Sequence, residues 1–313
     1  VKIMTRHKDI PNLFLIGAPK SATTFLYDVL SRTPGVFTAE NKEPAYFHFD
    51  GQIPQHRDAP LKPLYACLTL DDYKALYSAA GDARYVVDAS THYLSTPESA
   101  ARIRAAQPTA RVIAVLREPV TRAYSHYLMG VRDGFISEDL MSALDREEYE
   151  IEQSDVLWGE HYRMIRRSEY FAGLKAFHAA FGDRFRLYLF EDLKKDPDAV
   201  FDDLRQFLDL EIIEPGEKSL QSARNAYAVD RVWMITRLLN VYRASRLRLL
   251  VNKITPVTLR KILRETYEKI RLKDAGKPEM PEVIRERLTM HLEEDYAQTL
   301  QYAEKHGLLA RLG

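Results

Sequence analysis

"FLIGAPKSATTFLYDVL", residues 14–30, begins as an apolar run and ends in a helical pattern, with Gly17-Ala18-Pro19-Lys20-Ser21-Ala22-Thr23-Thr24 between them. Residues 13–16 are continuously apolar, as in a strand buried on both faces. Residues 23–30 read as a helix. A lysine and three hydroxyls in the intervening turn need a partner. The first amides of a helix have no intrahelical acceptor and carry partial positive charge, so anions bind there. Lys20 adds a full charge, and Ser21, Thr23 and Thr24 add donors. The turn therefore reads as the seat of a phosphate-bearing donor, with an ordinary capped strand-helix turn as the plain alternative. Only Gly17 precedes the lysine, so the spacing is not that of a Walker A loop.

The same alternation continues outward. Apolar runs at residues 85–87, 112–116 and 185–190 are each followed by helical spacing. Thr96-Pro97 has the form of a helix start, with threonine as N-cap and proline in the first turn. Residues 119–129 form the helix after the third run. Asp196-Pro197 opens a helix carrying Val200, Leu204, Phe207 and Leu208. Strands without polar alternation, separated by helices, predict an α/β chain with a central parallel sheet flanked by helices. Ligands of such sheets sit at the carboxyl ends of strands, where residues 17–24 and 117–125 both fall.

The second of these stretches lies in "VIAVLREPVTRAYSHYLM", residues 112–129. Arg117 ends a strand and Ser125 lies two turns into the following helix. An arginine so placed can grip a phosphate with two parallel hydrogen bonds, and the serine adds a donor. Arg122 is expected on the surface.

Composition narrows the partners. The 313 residues are 46% hydrophobic and 29% charged, with a formal net charge of zero. Nothing in that balance calls for nucleic acid. Cys67 is the single cysteine, so no intrachain disulfide forms, which suits a reducing cytoplasm. The polar start is not a signal peptide, and no apolar run approaches the ~20 residues that span a bilayer. A cytoplasmic location is expected. His48, His56 and the Glu160-His161 pair have no metal-ligand spacing, so no metal is expected.

Taken together, "PKSATT" and "LREPVTRAYSHY" resemble the 5′-phosphosulfate loop and the 3′-phosphate element of the sulfotransferases that use 3′-phosphoadenosine 5′-phosphosulfate (PAPS). "NKEPAYFHFD" (41–50), "VVDASTHYL" (86–94), "YFAGLKAF" (170–177) and "LFEDLKKDPDAVFDDLRQFLDL" (189–210) fit in the same order. The nearest likeness is to the branch holding the heparan sulfate sulfotransferases and many bacterial relatives, and "GKPEMPEVIRERL" (276–288) is similar to its late donor-contacting loop. The resemblance covers residues 10–210 well and 273–300 loosely.

It implies a P-loop-like fold and PAPS as co-substrate, held by Lys20, Ser21, Ala22, Thr23, Thr24, Arg117, Ser125, Lys277 and Lys273. Lys20 and Glu43 would be catalytic, the lysine on the transferring group and the glutamate as base for an acceptor hydroxyl. A surface pair with Lys42 is the alternative role for Glu43. Lys42, Asp88 and His92 are candidates for the acceptor side; His92 is also a second candidate base or a packed residue, and Asp88 and Ser90 could instead cap a strand end.

Three departures bear on the acceptor. Ala22 stands where the family's P-K-[ST]-G-T-T has glycine: a positive φ there would strain alanine, whereas a first-turn helical conformation would not. Ala89 stands where the heparan enzymes often have a lysine. Neither their disulfide-bounded glycan loop nor the R-K-G-x-x-G-D-W-K segment of the cytosolic steroid and phenol enzymes is present.

One domain spanning 1–313 is expected: a donor-binding core over 10–214, a helical acceptor-side cover over 215–280 and a last helix over 282–306. Residues 231–273 hold twelve Lys or Arg against Glu265 and Glu268. They read as a solvated face, a site for an acidic or lipid-borne acceptor with peripheral membrane contact, or an oligomer contact. The acceptor would be a glycan or a natural-product hydroxyl. A nucleotide phosphotransferase and a non-catalytic nucleotide-binding module are the other classes that such a core could serve.

Overall fold

The computed structural model describes residues 10–49, 67, 69–133, 136, 138–153, 163–212, 228–230, 272–274 and 277–309. Five parallel strands form one sheet in the order β2-β3-β1-β4-β5: β1 (Leu13–Leu15), β2 (Val36–Thr38), β3 (Tyr85–Asp88), β4 (Arg111–Leu116) and β5 (Phe185–Leu189). After β1 the chain builds β2 and β3 on one side and then crosses to place β4 on the other. The loops leaving β1 and β4 therefore meet where the strand order reverses, the usual ligand crevice of an open parallel sheet.

The apolar residues of the strands alternate between two cores. Phe14, Ile16, Val86, Val112, Ala114 and Leu187 pack under α2 (Leu70–Ala75), α3 (Glu98–Ala106) and α6 (Phe171–Phe181). On the opposite face Leu13, Leu15, Val87, Ile113 and Val115 pack under α1 (Thr23–Arg32), α7 (Phe190–Lys195) and α8 (Pro197–Leu208). Both faces are thus covered, which is why the strands carry no polar alternation. A third core joins α4 (Pro119–Arg132), α5 (Leu140–Gln153) and α9 (Glu282–Lys305). Asp295 of α9 accepts from the Tyr170 and Phe171 amides at 2.6 and 3.2 Å, capping α6 from outside its own chain segment. Beyond α9, Leu309 bridges to Leu187 of β5.

Three expectations change. Thr96 does not cap α3: its hydroxyl bonds His48 Nδ1 at 2.7 Å and the His92 carbonyl at 3.2 Å. The edge strand β2, which is short and only half-buried, has no counterpart in the apolar runs. Arg122, expected at the surface, is fully buried. Its Nε donates to Ser168 Oγ at 2.6 Å, its Nη1 bonds His126 Nδ1 at 3.2 Å and its Nη2 donates to the Met164 carbonyl.

Most of the expected cover over 215–280, including residues 231–271 of the basic segment, lies outside the described residues. Within it β6 (Ala228–Asp230) pairs antiparallel with β7 (Leu272–Asp274), and β6 lies beside α4.

Candidate active site

The loop after β1 is stapled in place by backbone. Ala18 N donates to the Val115 carbonyl and Val115 N to the Gly17 carbonyl, both at 2.7 Å, while Leu94 N donates to the Ile16 carbonyl at 3.0 Å. Gly17 has φ +140°, and a Cβ there would meet both Leu94 Cβ and the Thr91 carbonyl at 3.1 Å. Lys20 and Ala22 follow with φ of 66° and 64°. Of the two conformations open to Ala22, the left-handed one is present. It is the N-cap of α1 and places no side chain on the helix start.

This arrangement prepares the loop for an anion. No side chain caps α1, whereas at α4 Glu118 accepts from the Val120 and Thr121 amides at 2.9 and 2.8 Å. The open helix start is thus at 20–24. Ser21 Oγ is buried there without a hydrogen-bond partner, and Thr23 is buried while Thr24 is exposed. Burial lowers the Lys20 amine to about 8, and Arg132 and Arg117 reinforce that shift. A half-buried amine among cations gains strongly from an incoming anion. Arg132, which the sequence did not single out, pairs with Asp133 through Nε at 2.9 Å.

Arg117 joins the two expected donor elements. Its Nη1 donates to the Lys20 carbonyl at 3.2 Å, and its guanidinium lies 4.8 Å over the Phe190 ring. Its Nε is buried without a partner. Ser125 is half-exposed on α4. Lys277 Nζ sits 5.1 Å over the Tyr124 ring of the same helix. Burial and then Arg117 lower that amine to about 8. Lys273 lies in β7, of whose side chains nothing is described.

The expected acceptor side meets the donor loop through Lys42. Its Nζ donates to Thr24 Oγ1 at 3.1 Å and to Glu43 Oε1 at 2.9 Å. Glu43 Oε2 accepts from Thr91 Oγ1 at 3.0 Å and lies 3.7 Å from His92 Nδ1. The carboxylate is therefore held from two elements, yet remains about one-third exposed (32%).

Asp88 is not on the cleft wall. It is fully buried, and it accepts from Ser90 Oγ at 2.6 Å, Tyr73 OH at 2.7 Å and Tyr93 OH at 2.8 Å. Burial raises its carboxyl to about 6 against the pull of those hydroxyls. No group of three or more metal-ligating side chains occurs among the described residues.

A model of the sulfotransferase family matches residues 11–215. A sulfotransferase of Alicyclobacillus acidocaldarius, known from a crystal structure, is 30% identical with a TM-score of 0.58, over 69% of this chain and 90% of that one. The sulfotransferase domain from the curacin biosynthetic pathway is 18% identical with a TM-score of 0.41, over 68% and 78% of the two chains. The membrane-associated sulfotransferase kil1 of Dictyostelium discoideum is 26% identical over 126 residues, 39% of this chain. The matched stretch spans about a quarter of that protein's length (24%).

Proposed function

Since the chain belongs to the sulfotransferase family, we propose that it moves the sulfuryl group of PAPS to an acceptor hydroxyl. The observation that carries the choice of donor is the pairing of two cationic grips at the ends of adjacent strands. The Lys20 loop and Arg117 are joined at the Lys20 carbonyl, and PAPS bears an anionic group for each. The open amides of α1, with Ser21, Thr23, Thr24 and the backbone of Ala22, would hold the 5′-phosphosulfate. Arg117 and Ser125 would hold the 3′-phosphate, and Lys277 would close over the donor from above α4.

In the reaction, the acceptor oxygen bonds sulfur as the bond from sulfur to the bridging phosphate oxygen breaks. The acceptor proton passes to Glu43, and the products are the sulfate ester and 3′-phosphoadenosine 5′-phosphate. Lys20 would stabilise charge gathering on the bridging oxygen, a contact strongest in the transition state. Glu43 suits the base: its carboxylate is exposed enough to reach a hydroxyl, and Lys42 ties it to the donor loop. A nucleotide phosphotransferase is less well supported, because the loop lacks the Walker spacing.

The reading is tested with PAPS and a panel of acceptors (2-naphthol, a heparosan oligosaccharide and a β-hydroxyacyl pantetheine), scored by acceptor mass. Transfer to one of them is expected. Glu43→Gln should then lower turnover about 10²–10⁴-fold with donor affinity nearly unchanged, whereas Lys20→Ala should lower both. Wild-type turnover in Glu43→Gln would make His92 the next base to test.

The twelve-to-two basic excess over residues 231–273 supports an acceptor that is itself acidic or is carried on an anionic lipid surface. Salt screens such attraction, so acceptor KM should rise with ionic strength more steeply than for a neutral analogue. A salt-independent KM, with no binding to phosphatidylserine vesicles, would leave the segment as a solvated face.

A further inference from the structure

We propose that Asp88 is a positioning residue for Glu43, acting through the hydroxyls of Ser90 and Tyr93 on the backbone of residues 45–47. The inference rests on Glu43 being the base. A hydroxyl has one proton to donate and lone pairs with which to accept. Ser90 spends its proton on Asp88 Oδ1 at 2.6 Å and accepts from the Ala45 amide at 2.9 Å. Tyr93 spends its proton on Asp88 Oδ2 at 2.8 Å and faces the Phe47 amide at 3.4 Å. The buried carboxylate can only accept, so it fixes the direction of both hydroxyls and turns their lone pairs toward the chain that carries Glu43.

That chain needs holding. Glu43 and Ala45 have φ of 64° and 53° on either side of Pro44, and non-glycine residues keep such values only where their surroundings enforce them. Aromatic packing adds support: Tyr46 stacks on Tyr73 at 4.8 Å, and Phe47 meets Phe14 edge-on at 6.1 Å. Packing fixes the position of the segment. The two amide contacts fix its rotation, and with it the aim of Glu43 at Thr91 and Lys42.

Tyr73 supplies the internal control. Its hydroxyl donates to Asp88 at 2.7 Å, but neither the Ala45 nor the Phe47 amide donates to it. Tyr73→Phe therefore removes a bond to the same carboxylate while leaving the ring and both amide contacts in place.

Hydrogen exchange read on peptides covering 43–49 tests this without an acceptor. Asp88→Asn and Ser90→Ala should speed exchange of that segment about tenfold relative to sheet peptides, as expected for one lost buried hydrogen bond, and Tyr73→Phe should not. Should Asp88→Asn not fold, Ser90→Ala and Tyr93→Phe carry the comparison. Wild-type exchange in the folded variants, or equal acceleration in Tyr73→Phe, overturns the proposal.

Turnover on the best acceptor of the panel separates the two readings. Ser90→Ala should lower kcat and leave affinity for 3′-phosphoadenosine 5′-phosphate within about twofold, and should cost little more when Glu43 is already Gln. A full additional loss in the double variant sinks the positioning role and leaves the base in place. Wild-type turnover in Glu43→Gln sinks the base reading, and with it any role for Asp88 in aiming a base.

Discussion

Lys20 and Ala22 have left-handed backbones, at φ 66° and 64°, on either side of the buried Ser21. An L-residue in that region costs roughly 1–2 kcal/mol, and glycine does not bear that cost. Ala22→Gly should therefore stabilise the protein by about 0.5–1 kcal/mol after the entropy that glycine adds to the unfolded chain. A raised denaturation midpoint with unchanged donor affinity is the expected result. The sequence showed that alanine stands where relatives have glycine, but φ itself is not written in it.

Lys20 makes a second prediction. Its amine is lowered to about 8 in the free protein, and a bound phosphate favours the charged form and raises it again. Binding is thus coupled to proton uptake: affinity is full below pH ~8 and falls as pH rises through ~8, by up to about tenfold per pH unit for each coupled lysine. Lys277 shares the behaviour. Titrations of 3′-phosphoadenosine 5′-phosphate between about pH 7 and 9.5 should show this fall, and Lys20→Ala should remove its share. A flat profile in the wild type would mean that neither amine meets a phosphate.

Helix α4 carries Ser125, proposed for the 3′-phosphate, and within a turn of it a buried network. Arg122 bonds Ser168, His126 and the Met164 carbonyl, while Glu147 of α5 accepts from the Met164 and Ile165 amides at 2.8 Å each and from Arg166 at 3.0 Å. Burial raises Glu147 to about 7, and the three amides and Arg122 oppose the shift. Arg122→Met removes the cation and leaves its buried neutral partners short of a donor, at a cost of about 1–3 kcal/mol for each group left unpaired, read as a lower urea midpoint. The sequence around Arg122 did not place it inside, because two of its three partners, Ser168 and the Met164 carbonyl, come from chain more than 40 residues downstream.

Helix α6 approaches the chain behind the 17–24 loop closely. A Cβ on Gly173 of α6 would lie 1.9 Å from the Leu94 carbonyl, and Leu94 in turn backs Gly17. Gly173→Ala should cost at least about 1–3 kcal/mol by forcing the elements apart. It should also weaken donor binding, since the shift passes through Leu94 into the loop. Lost stability with donor affinity intact would show that the two glycines are not coupled. Nothing in the sequence points to the Leu94 carbonyl that Gly173 meets, because the two lie 79 residues apart.

At the scale of the molecule, the sheet was readable because β1, β3 and β4 are buried on both faces and carry continuous apolar runs, and β5 keeps the apolar character apart from Arg186. Lys20 and Arg117 were readable as partners because β1 and β4 are neighbours with both carboxyl ends at one crevice. The Lys42–Glu43 pair was legible from adjacency, but the onward link from Glu43 to Thr91 and His92 was not, since it depends on the left-handed turns at 43 and 45 and on the path of the chain from β2 to β3. No helix among the described residues is long and apolar enough to cross a membrane.

The account turns on a donor with two separate anionic groups, and calorimetry with paired nucleotides reads that directly. The wild type should bind 3′-phosphoadenosine 5′-phosphate more tightly than 5′-AMP by about 1.5–3 kcal/mol, roughly tenfold to a hundredfold, the worth of a desolvated charge-assisted contact at Arg117. Arg117→Ala should retain the fold and bind the two nucleotides alike. Equal affinity of the wild type for both nucleotides would contradict the assignment of Arg117 and Ser125, and with it PAPS as the donor.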